Sequence, residues 1–313
     1  MRFPRRFPFT QVVKFANQPQ FNIISVSPHT LLMEIINRIP RMISIGRDLR
    51  SQGKRIGLVP TKGSLHEGHL SLATRARELC DTVVVSLVPG PSADGSENPP
   101  TNLARDAELA FTRGVDLIFA PAVNDMFPKG FTTSVTVEGL SEKLEGAARP
   151  GYFRGVTTVV NKLLNIVHPH FALFGRKNAQ QVVVVKRMVR ELAIDVEIVV
   201  CPAVREEDGL ALASSNISLS TEGRKAAIVL RRALERCRSL STAGERDSAR
   251  LIGSMRAMLE GEPLARIDYI AITDTDQLDE VDVISSDSPA LVSIAAYIGD
   301  TRLTDNIVLN GEL

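Results

Sequence analysis

Cysteine is scarce. The 313-residue chain has three, Cys80, Cys201 and Cys237, with no Cys-x-x-Cys pair among them. So odd and scattered a set excludes a disulfide framework and suits buried structural thiols in a reducing compartment such as the cytoplasm. Net charge is nearly absent: 37 basic against 36 acidic residues leave +1. That balance gives no reason to expect nucleic acid as a partner. No apolar run reaches the roughly 18 residues a membrane-spanning helix needs, so no membrane partner is expected either. No Gly-Lys-Ser/Thr sequence occurs, so neither Lys62 nor Lys177 belongs to a Walker loop. Acidic residues are missing from Met1 to Pro28, where Arg2, Arg5, Arg6 and Lys14 mix with Phe3, Phe7, Phe9 and Phe15. A transit peptide shares this bias, but Pro4 and Pro8 spoil an amphipathic helix and no secretory apolar core is present. Residues 1–28 are read as a flexible extension, or a start placed too early, outside the fold.

What is there is ordinary for a globular protein, with 44% hydrophobic and 23% charged residues. The length allows a large core and two domains. Helical spacing runs from Thr30 to Gln52, with a possible interruption at Pro40. A strand follows at 55–60, then a Gly turn and a helix over 70–80. Thr82 to Val88 is continuously β-branched and apolar, the pattern of a buried parallel strand. Residues 89–102 form a loop rich in Pro, Gly and Ser. Further helices are expected at Leu103 to Arg113, Val156 to Val167 and Ala179 to Leu192. Strands are expected at Asp116 to Ala120, Phe171 to Phe174 and Val196 to Val200. This alternation predicts an α/β, Rossmann-like doubly wound parallel sheet over residues 29–212. Residues 213–313 predict a smaller α+β domain: helices at Thr221 to Arg238 and Asp247 to Leu259, strands at Tyr269 to Thr273 and Ala290 to Tyr297, and a closing segment from Thr301 to Leu309.

The most informative segment is Gly57-Leu58-Val59-Pro60-Thr61-Lys62-Gly63-Ser64-Leu65-His66-Glu67-Gly68-His69. A strand leads through a Gly turn into two histidines three residues apart, at the start of a helix. On a first turn both imidazoles share one helix face. A helix N-terminus favours phosphate. Imidazoles placed there can stabilise charge on a leaving pyrophosphate, so the predicted chemistry is nucleotidyl transfer. Incidental histidines are the plain alternative. Zinc is a weaker one, because the helical metalloprotease pattern His-Glu-x-x-His is one residue longer. No protein-ligated metal is expected.

Other segments bring a resemblance into view. They are Leu144-Glu145-Gly146, Arg149-Pro150-Gly151 with Phe153, Gly155-Val156, Thr158-Val159-Val160, Lys162-Leu163 and Asn165-Ile166-Val167. Further along come Phe174-Gly175, Lys177, Gln180-Gln181, Val204-Arg205, Asp208-Gly209-Leu210-Ala211, Thr301-Arg302-Leu303 and Asp305-Asn306-Ile307. Together with the histidine segment, the chain from Pro28 to Leu309 resembles the pantothenate synthetase (pantoate–β-alanine ligase) family. The resemblance implies a nucleotidyltransferase-type fold, related to class I tRNA synthetases. It implies use of ATP and Mg²⁺ to turn pantoate into an acyl adenylate, which β-alanine attacks to give pantothenate on the route to coenzyme A. It also implies a homodimer.

By the same resemblance, Lys62, Gly63, Ser64, Leu65, His66, Glu67, Gly68 and His69 would bind ATP. His69 would be the proton donor, with His66 on the phosphates. Gly175, Arg176, Lys177 and Asn178 would form a second ATP segment, with Lys177 on the phosphates. Gln181 would hold pantoate, Val204 would touch adenine, and Leu212, Ala213, Ser214 and Ser215 would form the loop that closes over the triphosphate. Several positions depart from the family pattern. Lys62 stands where methionine is usual, Gly90 for asparagine, and Ala93 for a glutamine that contacts the acid substrate. Pro99-Pro100-Thr101-Asn102 replaces Tyr-Pro-Arg-Thr, and Gly175-Arg176-Lys177-Asn178 replaces Gly-Glu-Lys-Asp. Ala213-Ser214-Ser215 replaces Ser-Ser-Arg. Lys62 is expected to point into the ATP crevice and to stand in for the missing loop arginine. These departures keep two alternatives open: a paralogue using a different carboxylic acid, and a nucleotide-binding paralogue without turnover.

Overall fold

The computed structural model describes residues 14–15, 33–88 and 102–313. Among the described residues ten strands form two sheets. The first has seven parallel strands: β1 (Lys14–Phe15), β2 (Glu34–Ile36), β3 (Ile56–Thr61), β4 (Thr82–Leu87), β5 (Leu117–Phe119), β6 (Phe171–Gly175) and β7 (Glu197–Cys201). Their order is β1-β2-β5-β4-β3-β6-β7. Helices α1 (Ile39–Ser51), α2 (Glu67–Leu79), α3 (Leu103–Phe111), α6 (Tyr152–Val167) and α7 (Ala179–Glu191) cover its faces; α4 (Val123–Met126) and α5 (Glu145–Ala148) are single turns. The second sheet is an antiparallel meander in the order β10-β9-β8. It is built from β8 (Ala265–Asp274), β9 (Ala290–Ile298) and β10 (Thr301–Leu309), and packed by α9 (Ile228–Thr242) and α10 (Ser248–Glu260) after the short α8 (Thr221–Ala226). The fold is therefore the expected α/β sheet with a smaller α+β unit. Among the described residues no helix is long and apolar enough to cross a membrane.

The sheet's double cover explains its sequence. In β4, Val83, Val85 and Leu87 enter the core shared with α2 and α3, while Val84 enters the core under α1, α6 and α7. Both faces are buried, so the strand reads as one apolar run, and each fully buried Val or Leu contributes about 1.5–3 kcal/mol. On the α1 side Gly46 permits a close helix crossing: a Cβ there would lie 2.4 Å from the Val167 carbonyl oxygen.

The topology opens a crevice. From β3, one branch of the chain runs through β4 and β5 and the other through β6 and β7. The switch point lies between β3 and β6, where such sheets bind ligands at the carboxyl ends of the strands. Registered pairing of β3 with β6 stops at Leu58 and Ala172. Pro60 lies beyond that point. His170 donates to the Ile56 carbonyl and Val88 to the Thr61 carbonyl, so alternate β3 residues face β6 and β4. Pro60 falls on the β6 side, where its missing N–H breaks no ladder bond.

Several elements differ from the sequence reading in their bounds. The expected helix from Thr30 begins only at Ile39, because Glu34–Ile36 is a strand between β1 and β5. Pro40 lies in the first turn of α1 and starts the helix instead of interrupting it. The expected helix 221–238 is two, joined at Ala227. The helix after the histidine turn starts three residues early, at Glu67. Lys14–Phe15, within the stretch set aside as an extension, pairs with Glu34 and Ile35 at the sheet edge.

Candidate active site

The histidine turn is held by four devices. Thr61 donates its hydroxyl to the Ser86 carbonyl and accepts the Gly63 N–H. Leu65 is 1% exposed, buried beside Leu70 and Leu72. Asp106 of α3, fully buried, accepts the N–H groups of Ser64 and Leu65 at 2.8 Å each. His66 is the N-cap of α2, its Nδ1 accepting the Gly68 N–H at 3.1 Å. Gly68 is required there, since a Cβ would lie 2.8 Å from the His66 ring. Ser64 has φ 54°, a left-handed conformation that costs a non-glycine residue roughly 1–2 kcal/mol.

The two imidazoles stack with ring centroids 4.1 Å apart. Burial, and then the neighbouring His66, push the His69 pKa down to about 4. Burial, and then the Lys177 ammonium, lower that of His66. Both rings are neutral at pH 7. Because His66 Nδ1 is an acceptor, its proton sits on Nε2, a donor for an incoming oxygen. His69 Nδ1 is buried and has no hydrogen-bond partner among the described residues.

Lys177 follows β6, the strand across the switch point. Burial lowers its pKa, while Asp305 and Glu145 oppose that effect. Asn306 of β10 donates to the carbonyls of Arg176 and Lys177 at 3.0 and 2.9 Å, which fixes the segment. Lys177, Asn178, Gln181 and Ser215 line one cavity of about 280 Å³ between the two sheets. Its carboxylates are committed. Glu145 accepts both Arg302 guanidinium nitrogens at 2.8 Å and the Tyr269 hydroxyl at 3.0 Å. Burial and Glu145 raise the Tyr269 pKa. Asp305 accepts Arg205 at 2.7 and 2.9 Å. Among the described residues no group of three His, Cys, Asp or Glu side chains could hold a metal ion.

The expected site residues fall into several places. His66 and His69 come together, their rings tilted by 35°, and the Lys177 ammonium contributes to the lowered His66 pKa. The Lys62 ammonium lies 5.7 Å above the Tyr152 ring, with the Arg149 guanidinium 4.1 Å from the same ring. Tyr152 and Arg149 line the cavity. The N–H groups of Ser64 and Leu65 are committed to Asp106, and that of Gly63 to Thr61. Glu67 turns outward to pair with Arg113. The Val204 carbonyl accepts the Leu212 N–H, closing a short hairpin that leads through Ala213 to the 3₁₀ turn Ser214–Ser218. Gly175, the last residue of β6, and Arg176 after it are half-buried. Gln180, unlike Gln181, is spent on structure: its amide holds the 140–145 segment through the Leu140 and Lys143 carbonyls and the Glu145 N–H. Gly90 and Ala93 lie outside the described residues.

Sequence reasoning missed Asp106 and gave Asp305 no role beyond its place in a resembling motif, and both left a signal. Asp106 shares an apolar helix face with Ala107 and Ala110, and Asp305 alternates with the buried Leu303, Ile307 and Leu309. A charge at a core position marks a paired buried group.

A doubly wound parallel sheet with a His-x-x-His helix start after β3 and a lysine after β6, beside a small antiparallel sheet, defines an α/β protein with its candidate site at the switch point. The family model for pantoate–β-alanine ligase matches residues 34–308, and the chain belongs to that family. The pantothenate synthetase of Pelotomaculum thermopropionicum is 48% identical over 281 residues, spanning 88% of this chain and 99% of that one. The pantothenate synthetase of Roseiflexus castenholzii is 50% identical over 258 residues, 81% of this chain and 92% of its own. Pantothenate synthetase from Thermus thermophilus has a similar structure, with TM-score 0.81 at 40% identity over 88% of this chain and 99% of that one. The Francisella tularensis pantoate–β-alanine ligase, solved with β-γ ATP and β-alanine, gives 0.69 at 30% identity over 88% and 97%.

Proposed function

We propose that this chain is an ATP-dependent acid–amine ligase that condenses pantoate with β-alanine through an acyl adenylate. The observation that carries this reading is the close approach of the His66 and His69 rings, centroids 4.1 Å apart, at the start of the helix that follows β3, in a chain 48% identical to a pantothenate synthetase along 99% of that relative. The pantoate carboxylate attacks the α-phosphorus, and the bond to the bridging oxygen breaks to release pyrophosphate. The β-alanine amine then attacks the acyl carbon, AMP leaves, and the amine gives up a proton. Neutral imidazoles suit the first step, because they donate to developing phosphate charge without carrying charge of their own. Lys177, half-buried after β6, is assigned as the cation on the phosphates. Gln181 is assigned to the acid, and Leu212 to Ser215 to the cover over the triphosphate.

The cavity's own carboxylates, Glu145 and Asp305, are ion-paired, so Mg²⁺ would arrive with the nucleotide and would supply neutralising charge to its phosphates. A homodimer and a cytoplasmic setting are carried over with the family. Neither alternative reading is favoured by a described contact. ATP–pyrophosphate exchange dependent on pantoate tests the proposal; no exchange, or exchange only with another acid, contradicts it.

Lys62 is assigned a supporting role. Its ammonium sits over Tyr152 at the wall of the cavity that Ser215 also lines. A cation there supplies positive charge that Ser215 cannot. Lys62→Met is expected to raise the ATP KM by about 3–10-fold, the scale of one partly exposed charge contact of about 1 kcal/mol. A Met variant with an unchanged ATP KM removes Lys62 from the site.

A further inference from the structure

We propose that Asp106 is the positioning residue for the histidine pair. The inference rests on the functional reading above. A buried carboxylate needs partners, and Asp106 has two: the consecutive N–H groups of Ser64 and Leu65, each at 2.8 Å. Successive backbone N–H groups in a turn with left-handed φ form an anion-binding nest, and Gly63 and Ser64 have φ 91° and 54°. In this chain an internal carboxylate fills that nest. The turn therefore does not offer these two N–H groups to a phosphate. Asp106 fixes the turn's shape, and the imidazoles do the contacting.

The geometry shows how position is transmitted. Asp106 pins Ser64 in its left-handed state, and Leu65 goes into the core beside Leu70. The next residue is His66, whose cap bond to Gly68 selects the Nε2–H tautomer and whose ring stacks on His69. Release of the turn frees the ring from that cap. Asp106 also lies four residues beyond Asn102, the N-cap of α3, so it ties the start of that helix to the histidine turn.

Asp106→Asn preserves volume and removes the charge and one acceptor. Displacement of catalytic groups by about 1 Å costs on the order of 100-fold, so the kcat of pyrophosphate exchange is expected to fall ~10- to 100-fold. The pantoate KM should stay within ~3-fold, since an orientation effect on the transition state need not weaken ground-state binding. Adding Ser64→Gly, which adopts positive φ without help, should recover at least ~3-fold of the lost kcat. In ¹⁵N-histidine spectra the parent should show His66 as the Nε2–H tautomer, and Asp106→Asn a tautomer mixture. The proposal is overturned if Asp106→Asn keeps kcat within ~3-fold of the parent, or if kcat falls with no Ser64→Gly rescue and unchanged His66 signals. Should the variant not fold, amide exchange in the parent decides: Ser64 and Leu65 are expected to be strongly protected, and exchange at exposed-loop rates overturns the assignment. A parent with no pantoate-dependent exchange sinks the functional reading, while the histidine spectra and amide protection still decide the role of Asp106.

Discussion

Alanine at His69 is expected to lower ATP–pyrophosphate exchange at least ~100-fold, the scale of one lost oxyanion-type donor. The ring packs against that of His66, with centroids 4.1 Å apart. Burial and His66 hold its pKa near 4. It is therefore neutral and unchanging between pH 6 and 8, and the exchange rate should show no His69 limb at the ordinary histidine value. Its acid limb belongs near pH 4. The stability linkage has the same origin. The unfolded imidazole takes up a proton at about 6.5, before the folded one does, so the folded state loses relative stability as pH falls from there toward 4. A folded His69→Ala protein with exchange within ~3-fold of the parent contradicts the role, because no donor would then have been lost.

Asp305→Asn is expected to cost about 3–5 kcal/mol of stability, the loss found when one partner of a buried ion pair is removed. Asp305 is 4% exposed and grips Arg205 through two bonds; Arg205 also donates to the Gly209 carbonyl at 3.0 Å. Asparagine leaves that guanidinium without its counter-charge and loosens the 204–212 hairpin against β10. It also removes a carboxylate that opposes the lowering of the Lys177 pKa, so Lys177 should lose its proton at lower pH than in the parent. Denaturant unfolding measures the stability loss. A midpoint shift equivalent to less than ~1 kcal/mol shows that the pair is solvated in solution.

Much of this was legible in the sequence, for physical reasons. Thr82–Leu87 reads as a buried strand because both its faces are covered. The histidine turn could be found because it joins β3 to a helix start at the sheet's switch point, where strands open. The three-residue strand Glu34–Ile36 was not legible. Ile35 and Ile36 continue the spacing of Ile39 and Ile43, and only pairing with β1 and β5 makes them extended. The ATP roles drawn from the resemblance treated residues 62–69 as one binding segment. In the structure their side chains go to different places. His66 and His69 stack, Lys62 lies over Tyr152, Leu65 enters the core, and Glu67 faces Arg113. Such division depends on Asp106, which is 41 residues from Leu65 in sequence and bonded to it in space.

The adenylate is the centre of the account, and isotope exchange between ATP and pyrophosphate in the absence of β-alanine tests it most directly. With the carboxylate attacking the α-phosphorus first, pantoate alone should support exchange, and the rate should not require the amine. Exchange that appears only when β-alanine is added, or that pantoate does not support at all, contradicts the account.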